Sequence, residues 1–123
     1  MSLPLRGDND VARRARQSIL AALRELADER WQSTVWEGGG DGHAQSSFVE
    51  AVCALYGDST LGNALDTQKI VFDEDTDGLL RHLRGIVEAI DPYLTPSALR
   101  SLPEWPDVMR TADAAIRRLS AIV

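Results

Sequence analysis

Lysine is nearly missing from this chain: Lys69 stands alone against twelve arginines. The bias suits a GC-rich coding genome and says nothing direct about activity. Cysteine is equally scarce. With Cys53 as the only thiol, neither an intramolecular disulfide nor a thiolate zinc cluster can form, and a reducing compartment is expected. The two histidines, His43 and His82, lack the i,i+4 spacing of a helical transition-metal site. No apolar run approaches the ~20 residues of a membrane span. The opening Met1-Ser2-Leu3-Pro4-Leu5-Arg6 has no apolar core of the kind a secretory signal needs, so a cytoplasmic location is expected. Basic charge is also short, 13 Lys and Arg against 19 Asp and Glu, for a net charge of −6 and a pI near 4.8. Such a balance repels nucleic acid and anionic membranes unless a local basic patch offsets it.

The remaining composition fits an ordinary globular chain. At 123 residues and 44% hydrophobic content, one domain spanning 1–123 can bury a core without disulfides or a structural metal. It is expected to carry a short flexible N-terminus and a Gly-rich loop at 37–45. Within that loop Gly38-Gly39-Gly40-Asp41-Gly42 ends any regular structure.

Helical periodicity dominates the rest. After Asp8-Asn9-Asp10, which offers N-cap chemistry, Ala12, Ala15, Ile19, Leu23 and Leu26 share one face, with Arg16 at its edge. The tail Trp31–Trp36 reads as helix, with a short strand as the alternative because β-branched and aromatic residues alternate loosely with polar ones. Ser46 or Ser47 can cap a second helix bearing Phe48, Val49, Val52, Leu55 and Tyr56 inward, with Gly57 as a left-handed stop. Residues 58–69 read as irregular, with room for one helical turn at Leu61–Leu65. Ile70-Val71-Phe72 is too short to classify.

Leu79, Leu80, Leu83, Val87 and Ile90 make a third helix, which ends at Pro92. Thr95-Pro96 pairs a capping side chain with proline at the first helical position, opening a short helix around Leu99 and Leu102. A last helix starts near Pro106 and carries Val108, Ala112, Ala115, Ile116, Leu119 and Ile122 inward, with Asp113 and Arg117 as an outward i,i+4 pair. The expected fold is all-α, a bundle of four main helices plus one or two short ones. A small hairpin joining 31–36 to 69–72 would make it α+β instead.

The densest chemistry lies at Asp73-Glu74-Asp75-Thr76-Asp77-Gly78, where four carboxylates precede the third helix. Asp73, Asp75, Asp77 and Gly78 reproduce the opening of an EF-hand calcium loop. Closing that loop needs a bidentate acid at its twelfth position, and Arg84 stands there, with Arg81 at the ninth. The plainer reading makes the run a helix start, with Asp75 or Thr76 as cap and Asp77 complementing the dipole. The plainer reading calls for no metal or cofactor, and none is expected.

Elsewhere the signals are thinner. His43 lies near Asp41, Ser46 and Ser47, but sequence adjacency does not assemble a triad. The Gly-rich run lacks the Gly-Lys-Ser/Thr ending of a P-loop. Cys53, close to the apolar stripe of its helix, reads first as a small buried hydrophobe. As a nucleophile it would need a base, for which His82 is the candidate, expected at the core edge. Arg13, Arg14 and Arg16 make a basic cluster, yet Asp8, Asp10, Glu25, Asp28 and Glu29 flank it and no aromatic platform accompanies it. Of Trp31, Trp36 and Trp105, the last looks like a staple onto the bundle; core packing is the first reading for all three, with partial exposure of one of the first two as the alternative.

As an ordered set, several segments resemble small actinobacterial proteins of unknown function. They are 22–28, Val35-Trp36, 55–59, the acid-rich lead into 79–90, and Trp105-Pro106-Asp107-Val108. That resemblance implies a helical protein and transfers no catalytic residue. Size, acidity and helical character are similar to those of immunity proteins that neutralise bacterial toxins.

The function expected is therefore a non-enzymatic acidic binding protein, immunity- or regulator-like, working through protein–protein contacts. Asp73, Glu74, Asp75, Asp77 and Trp36 are its candidate partner-binding residues. A basic protein partner is expected, or a second copy of the chain, and neither nucleic acid nor membrane. The alternative from another class is a small hydrolase or transferase using His43 or Cys53.

Overall fold

The computed structural model describes residues 5, 7, 9–36, 47–58 and 61–122, the side chains of Asp58 and Ile122 excepted. The expected 37–45 loop, with His43, lies outside these residues. Every regular element among the described residues is a helix, with no strand, which removes the hairpin between 31–36 and 69–72.

The first helix, α1 (Asp10–Ala27), starts where Asn9 Oδ1 accepts the Ala12 N–H at 2.8 Å, satisfying a free amide of the first turn. Its inward face carries Ile19, Leu20, Leu23 and Leu26. Arg16 departs from expectation. It is buried on that face, and its guanidinium donates to the carbonyls of Leu5 (2.7 Å) and Gly7 (2.6 Å). A charged head can be buried here because carbonyl oxygens replace its water, and the aliphatic stem packs as a hydrophobe.

Asp28, in extended conformation, interrupts the helix and caps the next turn, α2 (Glu29–Trp31), by accepting the Trp31 N–H at 3.0 Å. The chain continues as a π-helical turn over Gln32–Trp36, burying Gln32 and Trp36. The second main helix expected from the sequence is much shorter. Ser47 caps α3 (Phe48–Cys53), which passes into another π-helical turn at Ala54–Asp58. Gly57 therefore lies inside a helical turn and not in a left-handed stop.

The stretch expected to be irregular is instead largely helical: α4 (Leu61–Thr67) buries Leu61, Gly62, Ala64 and Leu65. At Gly62 the backbone passes so close to Tyr56 that a Cβ would meet the Tyr56 carbonyl oxygen at 2.6 Å. Only glycine permits that approach. Next come α5 (Glu74–Glu88), the short α6 (Pro96–Arg100) with Thr95 capping Ala98, and α7 (Trp105–Ile122).

Among the described residues only α1, α5 and α7 exceed ten residues, so three long helices and four short ones replace four main ones. α7 packs chiefly against α1 and α5. The buried side chains form one continuous cluster from Leu5 to Leu119, including Ile19, Leu55, Leu61, Leu80, Leu83 and Val108. An aromatic corner joins the short elements to α7. Trp36, Phe48 and Trp105 meet edge to face with ring centroids 5.7–6.5 Å apart, a geometry worth ~0.5–1.5 kcal/mol per pair beyond the area buried.

Candidate functional site

The acidic run does not form one surface. Asp73 is the N-cap of α5, its Oδ1 accepting the Thr76 N–H at 2.7 Å, in place of Asp75 or Thr76. That backbone bond holds the Asp73 carboxyl below its ordinary range. Asp75 reaches across to α7, where Arg118 donates to it at 3.0 Å. Asp77 is wholly buried. Its two oxygens accept the amides of Val71 (2.7 Å) and Phe72 (2.9 Å), folding the segment before α5 back onto the helix start.

Val71 and Phe72 are buried as a result, while Ile70 is left 41% exposed. Asp77 is thus a backbone clamp. Only Glu74 and Asp75 of the run lie fully on the surface. The three aspartates of the EF-hand pattern point to three different partners, and no three acid, histidine or cysteine side chains group together among the described residues. Gly78 sits inside α5 with open space where a Cβ would be, so no tight turn requires glycine there.

Trp36 also leaves the candidate surface. It is 5% exposed within the aromatic corner. The partly exposed tryptophan is Trp31, whose Nε1 donates to Glu25 at 2.9 Å. Trp105 is buried as the staple the sequence suggests.

Among the described residues, Cys53 and His82 do not converge. Cys53 is exposed and not a core residue, and no described histidine lines the groove it borders. His82 projects from α5 on the solvent side and meets Asp107 of α7 at 3.2 Å, a pair with both side chains well exposed. Tyr56 is a polar core group that the sequence does not flag. Its hydroxyl donates to the Leu80 carbonyl at 2.7 Å. Burial pushes the phenol well above its ordinary range, against the opposing pull of Arg84, whose guanidinium lies over the ring at 5.7 Å. Arg84 is held in turn by Asp66 (2.8 Å) and Glu88 (3.0 Å), which raise its own pKa.

The most distinctive surface lies elsewhere, where α3 meets the α5–α6 connection. One groove of about 190 Å³ is lined by Val49, Val52, Cys53, Val87, Ile90 and Pro92, with Glu88 as its charged residue. A second, also about 190 Å³, adjoins it along Phe48, Val49 and Pro92 and reaches Leu94, Leu99 and Asp91. Val49, expected to face inward, is instead 41% exposed between the two. Tyr93, next in the chain after Pro92, is 92% exposed.

Among the described residues, no lysine or arginine lines either groove. Two other depressions differ. One mixes Arg24 with Glu25 and Asp28 beside Trp31, and another mixes Glu29 with Arg100 and Arg110. Sequence reading missed this face because an apolar stripe does not say which of its members outruns the available partners. An aromatic residue after a helix-ending proline, Pro92-Tyr93, is the signal that was there to find.

The chain matches no protein-family model, no curated protein and no solved structure.

Proposed function

We propose that this is a non-enzymatic binding protein, immunity- or regulator-like, that works through protein–protein contact. Its contact surface is the apolar face of α3 and the α5–α6 connection, not the acidic run at 73–77. One observation carries the reading: two adjoining grooves lined mainly by apolar side chains share the exposed Val49, beside a fully presented Tyr93. Burying apolar surface is worth roughly 25 cal/mol per Å², and an exposed apolar patch with a polar rim marks a protein-interaction site. Acidic side chains remain part of the surface, as its rim.

The test is site-specific photo-crosslinking in lysate of the source cells, with a photoreactive phenylalanine at Tyr93 or, separately, at Glu74. A single protein captured from position 93, lost on Val49→Glu and absent from position 74, supports the reading. Capture from 74 alone returns the contact to the acidic run. Turnover in a broad substrate screen, abolished by His43→Ala or Cys53→Ser, replaces the binding protein with an enzyme.

A further inference from the structure

We infer that the segment which docks on the α3 face is a basic amphipathic helix of another protein. The inference rests on the binding role proposed above and gives the partner its chemistry. Phe48, Val49 and Pro92 belong to both grooves, so the exposed Val49 stands at the boundary between two apolar depressions. Side chains three or four residues apart on a helix share one face about 5–6 Å apart, so a helix can present one to each depression.

Backbone satisfaction points the same way. The described residues contain no strand, and the groove walls belong to helices and a turn whose amides are largely bonded locally. An extended peptide laid on this face finds no strand edge to pair with, and its own N–H and C=O groups are left unpaired when water is excluded. A helix brings its backbone already satisfied.

Charge decides the rest. Glu88 and Asp91 line the grooves and Glu50 is exposed beside Val49 on α3, with no lysine or arginine among the described lining residues. Glu88 is engaged by Arg84, whereas Glu50 and Asp91 make no ion pair with a described residue. A second copy of this chain, with net charge −6 and the same rim, meets like charge across the contact. The chain's own residues 37–46 hold no apolar side chain larger than Ala44. A helix with an apolar stripe flanked by lysine or arginine answers both the grooves and the rim.

The probe is a displayed library of random 16-residue peptides, selected on the wild-type protein and counter-selected on Val49→Glu. Selected peptides are expected to combine apolar residues at i, i+3 or i+4, and i+7 with net positive charge, and to gain helical circular dichroism on binding. Affinity should fall at least about tenfold with Val49→Glu or Tyr93→Ser. It should fall about three- to tenfold with Glu50→Gln plus Asp91→Asn, the latter loss shrinking in high salt. Tyr93→Ser alters a side chain with almost no intramolecular burial, so it serves even if Val49→Glu misfolds.

Acidic or alternating-pattern peptides, binding indifferent to Tyr93→Ser, or no enrichment at all overturn the inference. So does a dimer in sedimentation that Val49→Glu dissolves. Crosslinking from Tyr93 to a partner segment that is neither basic nor helical leaves the binding role standing and removes only this inference. Silence in both experiments removes both.

Discussion

Gln32 and Trp105 are joined across seventy-three positions by a buried hydrogen bond, Trp105 Nε1 donating to Gln32 Oε1 at 3.1 Å. The amide's other end completes the arrangement, since Gln32 Nε2 donates to the carbonyls of Glu25 and Leu26 at 3.0 Å each. Those carbonyls close α1, which Asp28 interrupts, so one side chain ties the end of α1 and the first π-helical turn to the start of α7. A polar residue with no exposure is tolerated because both ends of its amide are bonded.

Removing either partner strands the other. Gln32→Leu is expected to destabilise by about 2–4 kcal/mol, since it leaves the indole N–H and two carbonyls short of partners in a buried site. Trp105→Phe should cost less, because it deletes the donor and keeps part of the aromatic corner. A double-mutant cycle read by urea denaturation should return coupling above about 0.5 kcal/mol. Additive losses would show that the bond contributes no specific energy.

Asp77 and Asp75 should separate sharply, although they stand two residues apart in the same acidic run. Asp77→Ala leaves the Val71 and Phe72 amides buried without acceptors and is expected to cost about 2–5 kcal/mol. Asp77→Asn also destabilises, because one face of the carboxamide is a donor aimed at a donor. Asp75→Asn loses only an exposed pair with Arg118 and should change stability by under about 0.5 kcal/mol. Thermal denaturation of the three variants checks this; equal effects would contradict the clamp.

That contrast marks what the sequence could and could not disclose. Local chemistry was legible: Asn9 and Ser47 cap their helices, Thr95-Pro96 opens α6, and Asp113 bonds Arg117 at 2.6 Å, all within a few residues. Periodicity found α1, α5 and α7 for the same reason, their burial stripes being long enough to average over. The failures lie where a distant partner decides. Gln32 and Arg16 look like surface residues until Trp105 or the Leu5 carbonyl arrives to bond them. Asp77 looks like a dipole-complementing charge until the chain folds back. Val49 sits on a helix of only six residues, too short for its pattern to tell a buried flank from an exposed one.

Acidification should reveal the cap of α5. The folded-state pKa of Asp73 lies below its unfolded value, so its contribution is fully present above the ordinary carboxylate pKa of about 4 and is lost as pH falls through the folded value. Asp73→Asn, which can still accept from Thr76, should keep much of the stability at neutral pH while flattening the acid limb of the curve. Asp73→Ala should cost about 1 kcal/mol at neutral pH. Urea midpoints measured from about pH 7 down to about 2.5 test both, and an unchanged acid limb in Asp73→Asn would assign that limb to other carboxylates.

Alkali should act on Tyr56 with the opposite sign. Its folded pKa is raised by burial, so stability is intact below the unfolded phenol value of about 10 and declines as pH climbs above it toward the folded value. Tyr56→Phe should flatten that decline while costing about 1 kcal/mol at neutral pH through the lost bond to the Leu80 carbonyl. With Tyr93→Phe as the background, phenolate absorbance reports Tyr56 alone and should rise together with unfolding.

Gly62 and Gly78 offer the cleanest comparison, because the same substitution should have opposite signs at the two sites. Gly78→Ala places a methyl in open space inside α5, a helix interior where alanine is favoured by up to about 1 kcal/mol, and should stabilise. Gly62→Ala drives its methyl into the Tyr56 carbonyl oxygen, where a 2.6 Å approach forces α4 away from the preceding π-helical turn. Overpacking of this kind costs about 1–3 kcal/mol, which outweighs the alanine preference. The displaced helix also carries Asp66, so the Asp66–Arg84 contact above Tyr56 should loosen together with it. Thermal midpoints moving apart, up for Gly78→Ala and down for Gly62→Ala, confirm that α4 is held by close backbone approach. A gain at both would mean that α4 has room to shift.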